Sequence, residues 1–340
     1  MKRVIFTTVQ NNYEAIKMLE LALKSFYTFN LGFDFKVYCL DNSKDKFKEY
    51  FDKFNFENLE FINFKDGTKW NSYLEHIKND DLTDLEKKNI FKDDEKMYSF
   101  DTSVCISKLE ITDLLLEEYN VVIASDIDLV FVDSIEKSLE AFLNSGKFLG
   151  AIDELNESEL SKKCKMSFCA CFMYFNKDSK DCVFNLMDKA LYSLKYEDLR
   201  EIPSFNKISY KNKKYCFAFF EQDLLDYFIS DYFRLNDFLI TTSIKESDYI
   251  NLFSNTDYEL VHFAGSDFKP FYKFKTIRDL YSDAYYFLPL RFFYSNLFKI
   301  FDVEIDFSKY AWKITQHTIE VYKFYASEVQ KIKKRIANYK

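Results

Sequence analysis

The fold predicted for this chain rests on the sequence VVIASDIDLVF, residues 121–131. Four apolar residues and a serine predict a buried strand, which ends at Asp126 and Asp128 before apolar residues resume. Alternation along an extended chain places both carboxylates on one side, about 7 Å apart. Two such carboxylates repel each other unless a cation lies between them, and oxygen ligands favour Mg²⁺ or Mn²⁺. A polar turn after a buried strand is the alternative, because D-x-D is short and common.

Strands and helices alternate on both sides of this stretch. Strands are predicted at 3–8, 35–40, 59–64, 120–125, 148–152, 167–176 and 259–263, and helices at 13–29, 45–54, 103–119, 134–144, 177–194 and 220–229. The alternation predicts an α/β fold with a parallel sheet and helical crossovers. Ligands bind such sheets at the carboxyl ends of the strands, where Asp126 and Asp128 stand. The sequence has neither a P-loop nor a dinucleotide-binding glycine motif.

Composition excludes several classes of protein. Hydrophobic residues make up 48% and charged residues 30% of the 340 residues, which predicts a globular chain of one large or two ordinary domains. The net charge of −8 argues against nucleic acid as a partner. Residues 271–340 hold 13 Lys/Arg and 7 Asp/Glu, about +6, which leaves about −14 for residues 1–270. This basic segment suits contact with an anionic membrane surface.

The seven cysteines are odd in number and irregular in spacing, which predicts reduced thiols in a cytoplasmic protein. Cys164, Cys169 and Cys171 cluster without a C-x-x-C pair or a neighbouring histidine, so buried thiols are favoured over a zinc site. The first strand is too short for a signal-peptide core, and no run reaches the roughly 18 apolar residues of a membrane span. A soluble or peripheral protein is therefore expected.

Three later motifs carry groups that suit a metal and phosphate site. His262 ends a predicted strand, Gly265 and Lys269 follow it, and the run EQD at 221–223 opens a predicted helix. An imidazole is a reasonable third ligand for Mn²⁺, a glycine lets the backbone approach a diphosphate, and a lysine supplies a point charge for phosphate. Each motif alone has a plainer alternative: a core histidine, a turn, a surface charge and an acidic helix cap.

Taken together and in order, these motifs resemble those of family 8 glycosyltransferases over about residues 1–272. The matching positions are Thr7-Thr8, Asn12-Tyr13, Ser125-Asp126-Ile127-Asp128, Phe175-Asn176, Gln222-Asp223-Leu224-Leu225, His262-Phe263-Ala264-Gly265 and Lys269-Pro270. The family includes galactosyl- and glucosyltransferases of bacterial lipopolysaccharide synthesis. The resemblance implies a GT-A fold, a Rossmann-like mixed sheet flanked by helices, together with a UDP-sugar donor, Mn²⁺ or Mg²⁺, and retention of anomeric configuration.

The resemblance also implies a role for each matching side chain. Asp126, Asp128 and His262 would bind the metal. The donor nucleotide would be held by Thr7, Thr8, Asn12, Tyr13, Lys108, Asp126, Gly265 and Lys269, with the Tyr13 ring stacked on the base. The catalytic set would be Gln222 near the anomeric carbon, with Glu221 and Asp153. Asp153 would contact the sugar, and either Glu221 or Asp223 would contact the donor hydroxyls.

The sequence departs from the family pattern at three places. Phe168-Cys169-Ala170-Cys171 stands where relatives usually have Phe-Asn-(Ser/Ala)-Gly. Glu221 replaces the usual aspartate, and one extra residue separates Gly265 from Lys269. The first two departures leave the identity of the sugar open.

The predicted reaction is transfer of a hexose, galactose or glucose, from a UDP-sugar to a saccharide acceptor of a cell-surface glycan such as lipooligosaccharide. An inverting GT-A transferase is one alternative, and it would use Asp153 or Glu221 as general base. A catalytically silent nucleotide-sugar-binding protein is another. A phosphohydrolase built on the aspartate pair is a third, although the chain has only 3 histidines to support it.

Two regions are predicted: a GT-A catalytic domain at 1–275 and a helical segment at 276–340. Aromatic residues and the basic end KIKKR at 331–335 suit a helix lying in a membrane interface. The expected location is therefore cytoplasmic, with peripheral contact to the inner face of the membrane. A helical cap on the domain and a dimer surface are the alternatives.

Overall fold

A mixed seven-stranded sheet organises the chain, for which a computed structural model describes residues 1–64, 102–153, 168–185, 208–210, 213–215, 225, 229, 231–242, 253, 257–264, 284–305 and 319–339. The described strands are β1 (Arg3–Val9), β2 (Asp34–Cys39), β3 (Leu59–Asn63), β4 (Val121–Ser125), β5 (Leu129–Phe131), β6 (Leu149–Asp153), β7 (Phe168–Asn176), β8 (Ile208–Tyr210), β9 (Lys213–Tyr215), β10 (Phe233–Arg234), β11 (Leu239–Thr241) and β12 (Leu260–His262). The described α-helices are α1 (Tyr13–Phe29), α2 (Lys44–Phe51), α3 (Thr102–Leu115), α4 (Glu136–Asn144), α5 (Ala284–Ile300) and α6 (Ile319–Tyr339). A 3₁₀ turn covers Asp52–Phe54 and a π-helical turn covers Lys180–Phe184.

The large sheet has the strand order β10-β6-β7-β4-β1-β2-β3. Strands β3, β2, β1 and β4 run parallel, as the alternation of strands and helices predicts. Strand β7 lies antiparallel between β4 and β6, which makes the sheet mixed. Strand β5, which begins directly after Asp128, belongs to a smaller sheet in the order β11-β12-β5, and β8 pairs with β9. The predicted α/β class with a mixed sheet is confirmed.

Side chains of β1 alternate between two hydrophobic cores on opposite faces of the sheet. Val4 and Phe6 enter a core that includes residues of α3, whereas Ile5 and Val9 enter a core that includes residues of α1. This period of two is the geometry of a strand that is buried on both faces. Residue Thr7 continues the Ile5 side and is buried with 2% exposure, which places a hydroxyl at the carboxyl end of β1.

Helices α5 and α6 belong to the same hydrophobic core as α1. Phe293 and Tyr294 of α5 are fully buried, and the Tyr294 ring stacks on Phe263 with 3.9 Å between centroids. Phe293 also packs against Tyr325 of α6, with centroids 5.3 Å apart. The predicted helical character of the C-terminal segment is confirmed for the described residues. The boundary predicted at residues 275 and 276 lies outside the described residues and stays a prediction.

The basic end of α6 makes contacts within the chain. Arg335 lies 3.1 Å from Asp257 and 3.4 Å from Asp133, and it donates a 2.9 Å hydrogen bond to the carbonyl of Tyr258. Lys331 pairs with Glu328 at 2.6 Å. None of the helices within the described ranges combines the length and apolar character needed to cross a membrane.

Glu259, the residue before β12, is a buried carboxylate that makes stability depend on pH. Its Oε1 accepts a 3.1 Å hydrogen bond from the Ser138 N–H, while Oε2 has no partner among the described residues. Burial raises the pKa of Glu259 to about 7. Because the folded pKa exceeds the unfolded value, this carboxyl contributes stability below about pH 4.5 that is lost as pH rises through 7. Glu259→Gln should therefore be more stable than wild type at pH 8, by about 3 kcal/mol, and nearly equal to it at pH 4.5.

Urea denaturation at both pH values measures this difference. Glu140→Gln is a matched control, because Glu140 is exposed on α4 and should leave stability unchanged at either pH. An equal effect of Glu259→Gln at both pH values would contradict the assignment of the pH dependence to Glu259.

Candidate active site

The ends of the parallel strands bring the predicted site residues to one edge of the large sheet. Asp126 follows β4 directly, and Asp128 precedes β5. The loops after β1 and β2 meet there as well, because the Asn11 N–H donates a 2.6 Å hydrogen bond to Asp41 Oδ2. Asp41 has no role in the sequence prediction, although its position at a strand end marks it as a candidate. The placement agrees with the general rule for ligand sites in α/β sheets.

Strand β7 and helix α3 hold Asp126 in place. The Asp126 N–H donates to the carbonyl of Cys171 at 2.8 Å, which extends the β4–β7 pairing by one residue. Its carboxylate pairs with the ammonium of Lys108, a buried residue of α3 that also donates to the Ala170 carbonyl at 3.3 Å. Burial and the nearby Asp128 raise the pKa of Asp126 despite the Lys108 charge. Lys108, predicted to contact the donor, lies beside the first metal-ligand candidate.

The antiparallel pairing of β5 with β12 brings His262 next to Asp128. The Phe263 N–H donates to the Asp128 carbonyl at 3.0 Å, and His262 Nε2 lies 3.4 Å from Asp128 Oδ1. On the other side of the ring, His262 Nδ1 lies 2.9 Å from Thr241 Oγ1 of β11. Thr241 therefore orients the imidazole, a role that only the pairing of β11 with β12 reveals.

The imidazole of His262 is buried among acidic groups. Burial alone would lower the pKa of His262, but Asp128 and the sulfur of Cys169 outweigh it and raise the pKa to about 10. A metal ion would have to displace this proton, since a ligating histidine is neutral.

The donor atoms of Asp126, Asp128 and His262 all lie within 4.8 Å of one another. Two carboxylate oxygens and one imidazole nitrogen are a donor set that suits Mn²⁺ and tolerates Mg²⁺. The three metal ligands predicted from sequence are thus brought together, and their chemistry fits the predicted ion.

The residues predicted to hold the nucleoside lie at the start of α1 and the end of β1. Thr7 Oγ1 is buried and has no hydrogen-bond partner among the described residues, while Thr8 is half-buried. Asn12 caps α1, because its Oδ1 accepts a 2.7 Å hydrogen bond from the Ala15 N–H. Tyr13 is 52% exposed at this edge. The contact of these side chains with a nucleoside stays a prediction.

Asp153 ends β6 at the same edge, in a network of its own. Its carboxylate accepts a hydrogen bond from the Tyr232 hydroxyl and pairs with Arg234 Nε at 3.3 Å. The Asp153 N–H donates to Asn236 Oδ1 at 2.9 Å. These three partners lie around β10 and carry no recognisable motif in the sequence. The remaining predicted residues, namely Glu221, Gln222, Asp223, Gly265 and Lys269, lie outside the described residues.

Two cysteines also reach this site. The donor atoms of Cys169, Cys171 and His262 form a second group that lies within 4.8 Å. No histidine lies near these cysteines in the sequence, because His262 is remote along the chain. Hydrogen bonding to Cys171 and His262 holds the pKa of Cys169 well below its ordinary value, whereas burial raises the pKa of Cys171.

Comparison with solved structures defines the class of this fold. No protein-family model and no curated protein sequence matches the chain. Its fold is the GT-A fold expected from the sequence, shared with structures of glycosyltransferases. The galactosyltransferase LgtC, in complex with donor and acceptor sugar analogues, is 14% identical at a TM-score of 0.51, over 94% of this chain and 99% of that one.

Two further structures share the fold. Mouse xyloside xylosyltransferase 1 in its apo form is 11% identical at a TM-score of 0.51, over 78% of this chain and 98% of that one. The bifunctional glycosyltransferase WbbM in its apo form is 15% identical at a TM-score of 0.50, over 95% of this chain and 51% of that one. At such identities, the likeness establishes the fold.

Proposed function

We propose that this protein is a retaining glycosyltransferase that moves galactose or glucose from a UDP-sugar to a saccharide acceptor of a cell-surface glycan such as lipooligosaccharide. The observation that carries the proposal is the convergence of the donor atoms of Asp126, Asp128 and His262 within 4.8 Å of one another, beside the carboxyl end of β4. The shared fold with LgtC, which was solved with donor and acceptor sugar analogues, supports the substrate class.

Asp126, Asp128 and His262 would hold Mn²⁺ or Mg²⁺, which when bound neutralises charge that develops on the leaving diphosphate. Thr241 keeps the imidazole turned toward Asp128, so less ordering is needed when the site is filled. Lys108 balances the charge of Asp126 and adds positive potential at the edge that would receive a diphosphate. The site thus combines a preformed donor set with a fixed cation.

The remaining roles in the proposal concern the donor. The exposed ring of Tyr13 offers a stacking face for the uracil, and the buried hydroxyl of Thr7 offers a hydrogen bond to the nucleoside. Gln222 would face the anomeric carbon, and its carbonyl would stabilise positive charge there. The acceptor oxygen forms its bond on the face from which the diphosphate departs, while the departing phosphate oxygen takes the acceptor proton. This front-face route gives retention and requires no general base from the chain.

A panel of nucleotide sugars incubated with the protein and Mn²⁺ tests the proposal. Slow hydrolysis is expected for UDP-galactose or UDP-glucose and not for GDP- or CMP-sugars. With a saccharide acceptor, NMR should show a product of the same anomeric configuration as the donor. An inverted product would contradict retention and favour the inverting alternative. Metal-dependent UDP binding without any turnover would favour the silent sugar-nucleotide binder.

Peripheral membrane contact through residues 276–340 also belongs to the proposal. Lys333 and Lys334 are exposed on α6 near its basic end and are available to anionic lipid. Arg335, in contrast, forms ion pairs with Asp133 and Asp257 of the same chain. The lipid-facing charge is therefore smaller than the sequence count implies.

A further inference from the structure

An irregularity in the β6–β7 pairing places Cys169 and Cys171 beside His262. Along β6, Ala151 pairs with Met173 whereas the next residue, Ile152, pairs with Cys169. Three residues of β7 between these pairs therefore have no counterpart on β6. Such a bulge bends the strand and re-aims its side chains, and bulges concentrate next to functional sites. Here the bulged segment is the one in which the sequence departs from the glycosyltransferase pattern.

The group formed by Cys169, Cys171 and His262 has the chemistry of a zinc site. Two sulfur atoms and one imidazole nitrogen lie within 4.8 Å of one another. Thiolate ligands favour Zn²⁺, whereas Mn²⁺ and Mg²⁺ favour oxygen. Zinc sites with two cysteines and one histidine are established in proteins, with a fourth position left to water or another group. Asp128 Oδ1, 3.4 Å from His262 Nε2, is a candidate for that fourth position.

Packing alone does not account for this arrangement. Cys171 is 1% exposed, as an apolar core residue would be, but Cys169 is only half-buried and faces the imidazole. The other described free cysteines serve as a contrast. Cys39 is buried in the core beside Ser43, and Cys182 is exposed. Neither of these two belongs to a described group of metal-ligand atoms.

We propose that Cys169, Cys171 and His262 form a Zn²⁺ site, and that Zn²⁺ bound there excludes Mn²⁺ from the group formed by Asp126, Asp128 and His262. The exclusion follows because both groups require the same imidazole. Zinc coordination stands independently of the reaction, whereas its consequence, inhibition by Zn²⁺, rests on the proposed function. A chain of this kind would carry transfer activity only where free Zn²⁺ is low.

Cobalt(II) titration tests the coordination directly. Co²⁺ replaces Zn²⁺ in thiolate sites and then gives an intense near-ultraviolet sulfur-to-metal band, which oxygen and nitrogen ligands do not give. The full-length protein should show this band at one Co²⁺ per chain and lose it when one equivalent of Zn²⁺ is added. Cys169→Ala and Cys171→Ala should each abolish the band. Cys182→Ser, which changes an exposed cysteine, should retain it.

Mn²⁺ release followed by electron paramagnetic resonance tests the exclusion. In wild type, stoichiometric Zn²⁺ should free bound Mn²⁺. In the double variant Cys169→Ala/Cys171→Ala, Mn²⁺ should stay bound until Zn²⁺ is raised roughly 100-fold, since partners outside the ligand shell alone are worth about 10–100-fold in metal affinity. Circular dichroism melting establishes that the variants fold, and Cys169→Ser/Cys171→Ser provides a second pair.

Absence of the cobalt band in wild type, or its persistence in folded cysteine variants, would overturn the zinc site. Simultaneous binding of both metals to wild type would overturn the exclusion. If the cobalt band forms but Mn²⁺ never binds, the zinc site is supported, while the exclusion and the metal ligands of the proposed function both fail. Failure of the inference and failure of the proposed function therefore give different results.

Discussion

Asp128→Asn is expected to abolish Mn²⁺-dependent binding of UDP and to lower sugar transfer by about 10³-fold or more. Asparagine has nearly the same shape, and the Asp128 carbonyl that accepts the Phe263 N–H belongs to the backbone, so the β5–β12 pairing should persist. What is lost is one anionic ligand and the charge that faces His262 at 3.4 Å. Mn²⁺ binding by electron paramagnetic resonance and UDP binding by calorimetry measure the effect.

The same substitution should change the titration of His262. Asp128 helps to raise the pKa of His262 to about 10, so Asp128→Asn should bring this pKa down toward its ordinary value. The chain has only 3 histidines, which makes the imidazole signals assignable by NMR. This readout needs no metal and no substrate, and it separates the loss of a charge from unfolding.

Asp237→Asn is the matched control, because Asp237 is exposed in the turn before β11 and should leave metal binding and transfer unchanged. Asp126→Ala should give the same loss of transfer as Asp128→Asn. Wild-type turnover in either site variant would mean that these carboxylates are not the metal ligands.

The three metal-ligand candidates could be identified from the sequence because each of them follows, precedes or ends an apolar strand. Asp126 and Asp128 flank the transition from β4 to β5, and His262 is the last residue of β12. Strand ends of an α/β sheet meet at one edge, so strand prediction places Asp126 at that edge. His262 belongs to the smaller sheet and comes to Asp128 through the antiparallel pairing of β12 with β5. The parallel order of β1, β2, β3 and β4 could be predicted for the same reason.

The contacts that tune the site could not be predicted in this way. Thr241 contacts His262 only because of the register in which β11 pairs with β12. The sequence of a three-residue strand does not specify that register. Cys169 approaches His262 because β7 is inserted antiparallel beside β4 and bulges against β6. These are long-range pairings, and neither hydrophobic period nor motif spacing encodes them. For this reason, the sequence prediction of ordinary buried thiols does not include the proximity of Cys169 and Cys171 to His262.

The C-terminal segment shows a related limit. The predicted helical, aromatic and basic character of 276–340 agrees with the described helices α5 and α6, but composition does not say which face of each helix meets the domain. The packing of α6 turns Arg335 toward Asp133 and Asp257, so part of the basic end neutralises acidic groups of the chain itself. Salt bridges of this kind depend on helix orientation rather than on charge count.

Phe293→Ala should destabilise the protein by about 3–5 kcal/mol, the usual cost of removing a fully buried phenylalanine. Phe293 lies at the centre of an aromatic cluster, with ring centroids 5.4 Å from Phe253, 6.1 Å from Phe263 and 5.3 Å from Tyr325. Because Phe263 directly follows His262, a cavity at Phe293 should also make the position of His262 less fixed and so weaken metal binding by Asp126, Asp128 and His262. Urea denaturation and Mn²⁺ binding measure the two effects.

Tyr339→Ala is the control within the same segment, because Tyr339 is 50% exposed and packs edge-on against Phe29 alone among the described rings. It should cost less than about 1 kcal/mol. If Phe293→Ala had the same free energy of unfolding as wild type, α5 would not be part of the hydrophobic core that it shares with α1, and 276–340 would be a separable unit.

The expected large loss of stability in Phe293→Ala means that deleting residues 276–340 would unfold the chain, so lipid binding has to be tested on the full-length variant Lys333→Glu/Lys334→Glu. Pelleting of that variant with anionic vesicles to the same extent as wild type would contradict membrane contact through α6.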